Sequence, residues 1–311
     1  MLRRVSGPIL VTGANGHLGQ RLCERLARSA APRPVRALVR SERAAEQLRA
    51  LPEAARPEIS IVDYANVHAL EREASGCDAA VHLVGILKET RHNRYVDAHE
   101  GACRALADAA DAAGLRRVVT LSILGADTRS TNACLASRAR AEEILLAADT
   151  AAVVIRVPMV LGPGDAASAA LLGQARGPTA RLVRGGATLE QPIAARDVVS
   201  ALEAALERPG LDDRVLELAG PESLSHRALV ERAAALLGTQ VEFASIPAGL
   251  ARAFAWLAER TQNDPPLTRA MLGVLEHDDA IDPGPACEAL GLSLTPLDAA
   301  LREAFDAEET A

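Results

Sequence analysis

The sequence contains few aromatic residues and a single lysine. Aromatic residues make up 2% of the 311-residue chain, and its tyrosines are Tyr64 and Tyr95. Lys88 is the sole lysine, so the other long basic side chains are arginines. Tyrosine and lysine side chains that could take part in proton transfer are therefore scarce. No tyrosine is followed by a lysine four positions later, which excludes a Tyr-x-x-x-Lys pair anywhere in the sequence.

The chain also lacks an excess of positive charge, long apolar runs and paired cysteine motifs. Lys and Arg number 34 against 41 Asp and Glu, and this net charge of −7 disfavours a nucleic-acid partner. No stretch reaches the roughly 18 apolar residues of a transmembrane helix, and the N-terminus does not resemble a signal peptide. Five cysteines without a CxxC motif predict reduced thiols and no metal centre. We therefore expect a cytoplasmic protein.

Short apolar runs alternate with segments of helical period through the first half of the chain. This alternation is typical of a parallel sheet covered on both faces by helices, and it predicts an α/β doubly wound (Rossmann) fold. The predicted strands are Pro8–Thr12, Val35–Val39, Glu58–Val62, Ala79–Val84, Val118–Ser122 and Ala152–Arg156. The predicted helices are Leu18–Ser29, Ser41–Ala50, Val67–Ala74, Tyr95–Gly114 and Arg138–Ala147.

The pattern becomes irregular from about Pro158, where glycine and proline cluster. We predict that residues 1–157 form the Rossmann domain. Residues 158–311 are predicted to form a smaller, mostly helical lobe for a substrate or partner, with some segments returning to the Rossmann core. The helices predicted in this lobe are Asp197–Glu207, Ser225–Leu237 and Leu250–Glu259.

Three glycines with a G-x-x-G-x-x-G spacing follow the first predicted strand and open the first predicted helix. Such a turn brings the backbone and a helix N-terminus close to a pyrophosphate, whose anionic oxygens they favour. A glycine turn without a ligand is the structural alternative, but the flanking strand and helix favour the nucleotide. The predicted phosphate-binding residues are Gly13, Asn15, Gly16, His17, Leu18 and Gly19.

The residues that end the next strands predict the rest of a dinucleotide site. An acidic residue for the ribose hydroxyls is absent after the second strand, whereas Arg40 and Ser41 suit a 2′-phosphate. We therefore favour NADP(H) over NAD(H), with a solvated strand-end charge as the alternative for Arg40. Asp63 is expected near the adenine, and Val84 and Gly85 beneath the nicotinamide ribose; ordinary loop positions are the alternative for all three.

Several motifs occur in a characteristic order along nearly the whole chain: Gly13–Gly19, His82–Ile86, Ala113–Val119, Ile155–Pro158, Gly162–Asp165, Gln191–Ile193 and Gly220–Glu222. Together they resemble the extended short-chain dehydrogenase/reductase superfamily, and within it the atypical branch that contains the accessory Rossmann subunit of respiratory complex I. The resemblance implies NAD(P)-dependent oxidoreductase or epimerase/dehydratase chemistry, with Pro158 beside the cofactor. It also implies a small-molecule or nucleotide-sugar ligand, and it leaves a homodimer or a membrane-complex partner open.

The superfamily relies on a Tyr-x-x-x-Lys pair and on a serine after the fifth strand. The resemblance places Cys134 at the tyrosine position, Arg138 at the lysine position, and Ser122 nearest to the serine. Arginine can bind a ribose but stays charged at any reachable pH, so it does not exchange protons. We therefore predict an NADP(H)-binding protein with little or no catalysis and a redox-sensing or assembly role. The alternative is an oxidoreductase or epimerase/dehydratase with non-standard catalytic residues.

Three further features leave alternatives open. Cys134 is either a thiolate activated by a neighbouring arginine or a small semi-buried filler. His92, Tyr95 and His99 share one face of a predicted helix, which suits either a general acid or a polar surface. The helix around Trp256 either packs into the core of the smaller lobe or contacts a membrane or partner.

Overall fold

The computed structural model describes residues 7–29 and 31–306, and its central element is a parallel β-sheet. Residues 1–6, where we expect no signal peptide, lie outside the described residues. In chain order the strands are β1 (Ile9–Thr12), β2 (Val35–Val39), β3 (Glu58–Ile61), β4 (Ala79–His82), β5 (Val118–Ile123), β6 (Ala152–Val157), β7 (Val160–Leu161), β8 (Thr179–Val183), β9 (Leu189–Glu190), β10 (Ile193–Ala194), β11 (Arg214–Glu217), β12 (Leu224–Ser225) and β13 (Glu242–Ile246).

Helices cover both faces of the sheet and build most of the second lobe. They are α1 (His17–Arg28), α2 (Glu42–Arg49), α3 (Val67–Ala74), α4 (Ala102–Ala113), α5 (Ala133–Leu146), α6 (Ala166–Arg176), α7 (Ala195–Glu207), α8 (His226–Leu237), α9 (Ala248–Thr261), α10 (Arg269–Leu275), α11 (Gly284–Leu290) and α12 (Leu297–Asp306). Short 3₁₀ turns at Glu53–Ala55 and Arg184–Gly186 complete the connections.

The large sheet has seven strands in the order β11-β6-β5-β4-β1-β2-β3, and all its neighbours are parallel. β1 and β4 are buried along their whole length, as expected of strands that helices cover on both faces. The chain changes direction across the sheet between β1 and β4, and ligands of such sheets bind beyond the strand ends at this switch point. The predicted doubly wound α/β fold is confirmed.

The sequence pattern predicts six strands of this sheet and misses β11. Only Leu216 is buried among its four residues, so the strand has no apolar run. β11 nevertheless pairs with β6, opposite residues 153–156. Helix α7 from the same half of the chain packs Val198 and Leu202 into the core beneath the sheet. The division of the chain at residue 158 remains a prediction.

The second lobe has its own apolar core beside the sheet. Leu171 of α6, Leu229 of α8 and Leu301 of α12 are buried together there. Three two-stranded ladders accompany the helices: β7 with β10, β8 with β13, and β9 with β12. Helices nevertheless predominate in the lobe, as the prediction of a mostly helical lobe implies.

Two predicted helices have different bounds in the structure. The segment predicted as Tyr95–Gly114 begins with a wide π-helical turn over Val96–Gly101 and becomes α4 only at Ala102. Helix α5 begins at Ala133, because the side chain of Asn132 accepts hydrogen bonds from the backbone amides of Cys134 and Leu135. Cys134 and Arg138 therefore lie one turn apart on a single helix.

Of the two alternatives for the helix around Trp256, the structure does not show its aromatic side chains packed into the core. In α9 the small residues Ala251, Ala255 and Ala258 face inward, whereas Phe254 and Trp256 are 56% and 41% exposed. Small side chains allow α9 to approach α10 closely, and the larger side chains then point outward. This helix presents an apolar surface to the solvent.

Candidate functional site

The phosphate turn has the backbone shape that its glycines predict. Gly13 has a φ of +72°, and a β-carbon there would lie 3.0 Å from the carbonyl carbon of Leu83. A β-carbon on Gly19 would lie 2.5 Å from the Ala14 oxygen. Gly16 is exposed and precedes α1, where no side chain of the described residues caps the helix. The first amides of α1 are thus open to an anionic ligand.

Tyr64 stabilises the phosphate turn through two hydrogen bonds of its hydroxyl group. Its hydroxyl accepts a hydrogen bond from the Gly13 amide at 2.9 Å and donates one to the Leu38 carbonyl at 2.7 Å. Burial raises the pKa of Tyr64, so the phenol stays neutral and keeps both bonds. The guanidinium of Arg40 lies 5.9 Å from the centre of the same ring. Our sequence reasoning missed Tyr64, although its position directly after Asp63 was a usable signal.

The residues predicted to bind the adenosine half have different structural roles. Arg40 is exposed directly after β2. The Ser41 hydroxyl caps α2 by accepting the Ala44 amide at 3.3 Å, and Asp63 accepts the Ala65 amide at 3.0 Å. Two of the three predicted polar side chains therefore already stabilise the local backbone, which leaves Arg40 as the strongest candidate for a phosphate contact.

His17 and Asn15 connect the phosphate turn to neighbouring elements. Nε2 of His17 lies 2.5 Å from the Pro163 carbonyl oxygen, to which Arg21 also donates at 3.1 Å. The amide of Asn15 donates to Gln47 of α2 at 3.1 Å. Because Pro163 lies between β7 and α6, the loop that joins these two elements is tied to the edge of the turn.

Arg138 occupies the space between the carboxyl ends of two central strands. Its Nη1 donates to the carbonyl oxygens of Val84 at 3.3 Å and Leu121 at 3.4 Å. The guanidinium lies directly against Gly85, where a β-carbon would collide with it in its present position. Burial lowers the pKa of Arg138, and its Nε has no partner among the described residues. Arg138 thus links two backbone carbonyls beside the predicted nicotinamide position.

Cys134 is buried and lies next to Tyr95. Its Sγ is 3.8 Å from the Ile86 carbonyl oxygen, while the Tyr95 hydroxyl donates to the Leu87 oxygen at 2.8 Å. Burial raises the pKa of the Cys134 thiol, even though the neighbouring Arg138 acts in the opposite direction. Burial likewise raises the pKa of Tyr95. Neither group is therefore prepared for proton exchange, and the thiolate interpretation of Cys134 loses its support.

The predicted face of His92, Tyr95 and His99 does not form. His92 is exposed in a turn before the helix, whereas His99 is buried with its ring centre 5.3 Å from that of Tyr95. Nε2 of His99 accepts the Ile86 amide at 3.1 Å. Burial and the charge of Arg138 lower the pKa of His99 to about 3. A neutral, enclosed imidazole of this kind is a poor general acid at neutral pH.

Ser122 lies inside β5 rather than at its end. Its hydroxyl is buried and has no hydrogen-bond partner in the part of the chain that the structure describes. The following loop contains the buried Leu124, so it carries an apolar side chain where the superfamily serine is expected.

Sequence reasoning also missed a histidine that lies against this loop. Gly125 has a φ of +75°, and a β-carbon there would collide with the imidazole of His277. Nδ1 of His277 is 3.0 Å from Asp279 Oδ1, and this contact raises the pKa of His277. The two segments are far apart in the sequence, so no local pattern could have predicted the contact. Here an imidazole oriented by a carboxylate lies beside the loop that follows Ser122.

The geometry agrees with the comparison to known protein families. A family model described as NAD(P)H-binding matches residues 13–209, which begin at the first glycine of the phosphate turn. This chain belongs to the NAD(P)H-binding family. Over residues 7–29 and 31–306, no helix has both the length and the apolar character needed to cross a membrane.

Individual relatives and solved structures share parts of this organisation. The chain is 33% identical over 161 residues to "Ceramide reductase" of Caulobacter vibrioides, which is 51% of this chain and 48% of that protein. It is 28% identical over 265 residues to "NADH dehydrogenase [ubiquinone] 1 alpha subcomplex subunit 9, mitochondrial" of Arabidopsis thaliana, which is 81% of this chain and 63% of that protein. The chain therefore matches about half to two thirds of the length of these curated relatives.

Solved structures with low sequence identity to this chain share its fold. UDP-glucuronic acid 4-epimerase from Bacillus cereus, in complex with UDP-glucuronic acid and NAD, superposes with a TM-score of 0.75 at 18% identity. The superposition covers 97% of this chain and 99% of the epimerase. At this identity the likeness establishes the shared fold.

Proposed function

We propose that this protein binds NADP(H) at the phosphate turn, and that it performs little or no catalysis with the bound nucleotide. Its role would be redox sensing or the support of an assembly. The glycine turn and the open N-terminus of α1 would hold the pyrophosphate, and Arg40 would contact the 2′-phosphate. The backbone around Val84 and Gly85 would lie against the nicotinamide ribose.

One observation supports this proposal: the Cys134 thiol and the Arg138 guanidinium, which the resemblance aligns with the superfamily Tyr-x-x-x-Lys pair, are both buried. Bound NADPH would supply a hydride, but reduction of a carbonyl also needs a proton donor at the oxygen. Burial raises the pKa of Cys134, and Arg138 does not release its proton at neutral pH. The phosphate turn has no comparable defect, so the site is better suited to binding than to turnover.

Nucleotide binding can be tested by the stability of the protein. NADPH at a hundredfold excess over its dissociation constant should raise the free energy of unfolding by about 2.7 kcal/mol. Gly16→Asp is the matched variant, because a carboxylate there caps α1 favourably but repels a phosphate. It should fold and fail to respond to NADPH. Lack of stabilisation of the natural protein by millimolar NADPH or NADH would refute the binding proposal.

The second candidate function is an NADP-dependent oxidoreductase or epimerase/dehydratase with non-standard catalytic residues and a small-molecule or nucleotide-sugar substrate. His277 favours it, because Asp279 orients the imidazole and raises its pKa beside the β5–α5 loop. His277 would hold the proton that a substrate oxygen needs. If a panel of carbonyl and sugar-nucleotide substrates is turned over, His277→Gln should abolish turnover and leave NADPH binding unchanged. Retained turnover in that variant would reject this role.

An assembly role is supported by similarity to a protein that is named as a subunit of NADH dehydrogenase. We propose a cytoplasmic location and either a homodimer or a membrane complex as the assembled form. The described cysteines Cys23, Cys77, Cys103, Cys134 and Cys287 are free thiols. Purification of the native protein with its partners, followed by mass spectrometry of the retained nucleotide, tests both the assembly and the cofactor.

A further inference from the structure

The outward face of α9 is unusual for a helix on a globular protein. Leu250, Phe254 and Leu257 are 64%, 56% and 53% exposed, and they recur at a spacing that aligns them along one side of the helix. Trp256 lies beside them and is 41% exposed. We call these four residues the α9 ridge. Contiguous exposed apolar side chains of this size mark an interaction surface more often than an ordinary surface.

The α9 ridge adjoins a cavity of about 620 Å³ with a basic wall. Arg260 connects the two features, because its guanidinium lies 4.3 Å from the centre of the Trp256 ring and the residue also lines the cavity. Basic side chains outnumber acidic ones on the wall, which contains Arg91, Arg94, Arg260 and Arg269 against Glu89 and Glu259. This local excess contrasts with the net charge of −7 of the whole chain.

Of the four arginines on the wall, Arg91 and Arg260 are available to an external anion, whereas the other two pair with glutamates. Arg94 pairs with Glu89 at 3.0 Å, and Arg269 pairs with Glu259 at 2.8 Å. Arg91 is exposed. Within residues 7–29 and 31–306, neither Arg91 nor Arg260 forms a salt bridge with a carboxylate.

We propose that the α9 ridge docks on the surface of an anionic lipid bilayer, with Arg91 and Arg260 facing the phosphate headgroups. A helix that lies in the interface needs only one apolar face, basic flanks and an amphipathic aromatic ring such as Trp256. A stable interface with another protein takes roughly 20 residues from each partner, far more than this ridge provides. The basic wall beside the ridge is complementary to anionic headgroups. This proposal is independent of nucleotide binding.

Trp256 makes the docking directly measurable, because it is the sole tryptophan of the chain. The full chain should bind sedimenting vesicles of phosphatidylcholine with phosphatidylglycerol, and its tryptophan emission should shift to shorter wavelength as the ring leaves water. Brominated acyl chains should quench that emission. Vesicles of phosphatidylcholine alone should bind at least tenfold more weakly.

Substitutions on the exposed face separate docking from folding. The double variant Phe254→Ser, Leu257→Ser should lose at least tenfold in vesicle partitioning, and Arg91→Gln or Arg260→Gln should each lose about fivefold. The controls are Ile61→Ser, an exposed apolar residue on β3, and Arg72→Gln, an exposed arginine on α3. Both controls should bind vesicles as the natural chain does. All variants should keep the same response to NADPH.

Three results would overturn the proposal. The first is equal binding of the natural chain and the Phe254→Ser, Leu257→Ser variant to anionic vesicles. The second is equal binding of the natural chain to neutral and anionic vesicles. The third is a dimer in sedimentation velocity that this double variant converts to a monomer, because the ridge would then be covered by a second copy. Loss of the NADPH response alone would contradict the proposed function and leave lipid docking standing.

Discussion

Arg40 is the side chain on which the choice between the two nicotinamide nucleotides depends. It is exposed at the end of β2, whereas Ser41 and Asp63 are engaged in local backbone hydrogen bonds. Charge-assisted hydrogen bonds to a phosphate are stronger than neutral ones, so Arg40→Gln should weaken NADPH binding about tenfold or more. NADH lacks the 2′-phosphate and serves as the internal control. Isothermal titration with both nucleotides checks this, and an equal loss for both would contradict it.

Tyr64 supports the phosphate turn through hydrogen bonds that phenylalanine lacks. Tyr64→Phe leaves the Gly13 amide and the Leu38 carbonyl without their partner, which should cost about 1–3 kcal/mol of unfolding free energy. The variant should also bind ADP-ribose more weakly, because the phosphate turn loses the hydrogen bond that fixes the Gly13 amide. Tyr95→Phe is the matched control, since it removes a phenol hydrogen bond to Leu87 away from the turn. Calorimetry should show unchanged ADP-ribose binding for that control, and a loss equal to that of Tyr64→Phe would disprove the bracing role.

The junction of β1 and α1 tolerates less change than an ordinary helix surface. Gly19→Ala would place a β-carbon 2.5 Å from the backbone oxygen of Ala14, so we expect a loss of about 1–3 kcal/mol in urea unfolding. Gly173 is exposed inside α6, and a β-carbon there meets no atom of the described residues within 4 Å. Gly173→Ala should therefore gain about 0.5–1 kcal/mol through helix propensity. Equal effects of the two substitutions would contradict this packing argument.

The elements that the sequence predicts well are those whose pattern arises from burial on both faces. β1 and β4 give continuous apolar runs because helices cover both sides of these strands. β11 is an edge strand with one buried residue, so its side chains give no recognisable pattern. Backbone pairing with β6 stabilises this strand in the sheet. In α9 the pattern identifies a helix but leaves its inward face open, and in the structure the alanines take the packed side.

The residues of the candidate site also differ in whether local sequence predicts their structural role. The glycine turn is local, and the backbone conformation of Gly13 and the close approach of Gly19 follow from their spacing. The contact of His277 with Gly125 joins segments that only tertiary folding brings together. The burial of Cys134 and Arg138 likewise depends on the surrounding fold, so sequence gives their identity but not their proton affinity.

Three histidines make the stability of the whole molecule depend on pH. His82 and His99 have lowered pKa values and destabilise the folded state in acid, whereas His277 has a raised pKa and stabilises it. Burial lowers the pKa of His82 and of His99 to about 3, and the Arg138 charge acts in the same sense on both. The hydrogen bond to Asp279 raises the pKa of His277. The stabilisation from His277 is fully present below the unfolded value near 6.5 and is lost as pH rises through its raised pKa. Below about pH 6.5 the His277 contribution is therefore constant, and the two buried histidines determine how stability changes in acid.

Acidification should therefore destabilise the protein before its carboxylates titrate. Below about pH 6.5 the unfolded chain protonates residues 82 and 99 while the native state keeps both imidazoles neutral, so the free energy of unfolding falls with pH. Each histidine contributes a slope of up to about 1.4 kcal/mol per pH unit. Urea unfolding between about pH 7.5 and pH 5 measures this slope. His99→Gln should roughly halve it, and His68→Gln, at an exposed position on α3, is the control. A slope unchanged in His99→Gln would show that the buried imidazole does not cause the acid sensitivity.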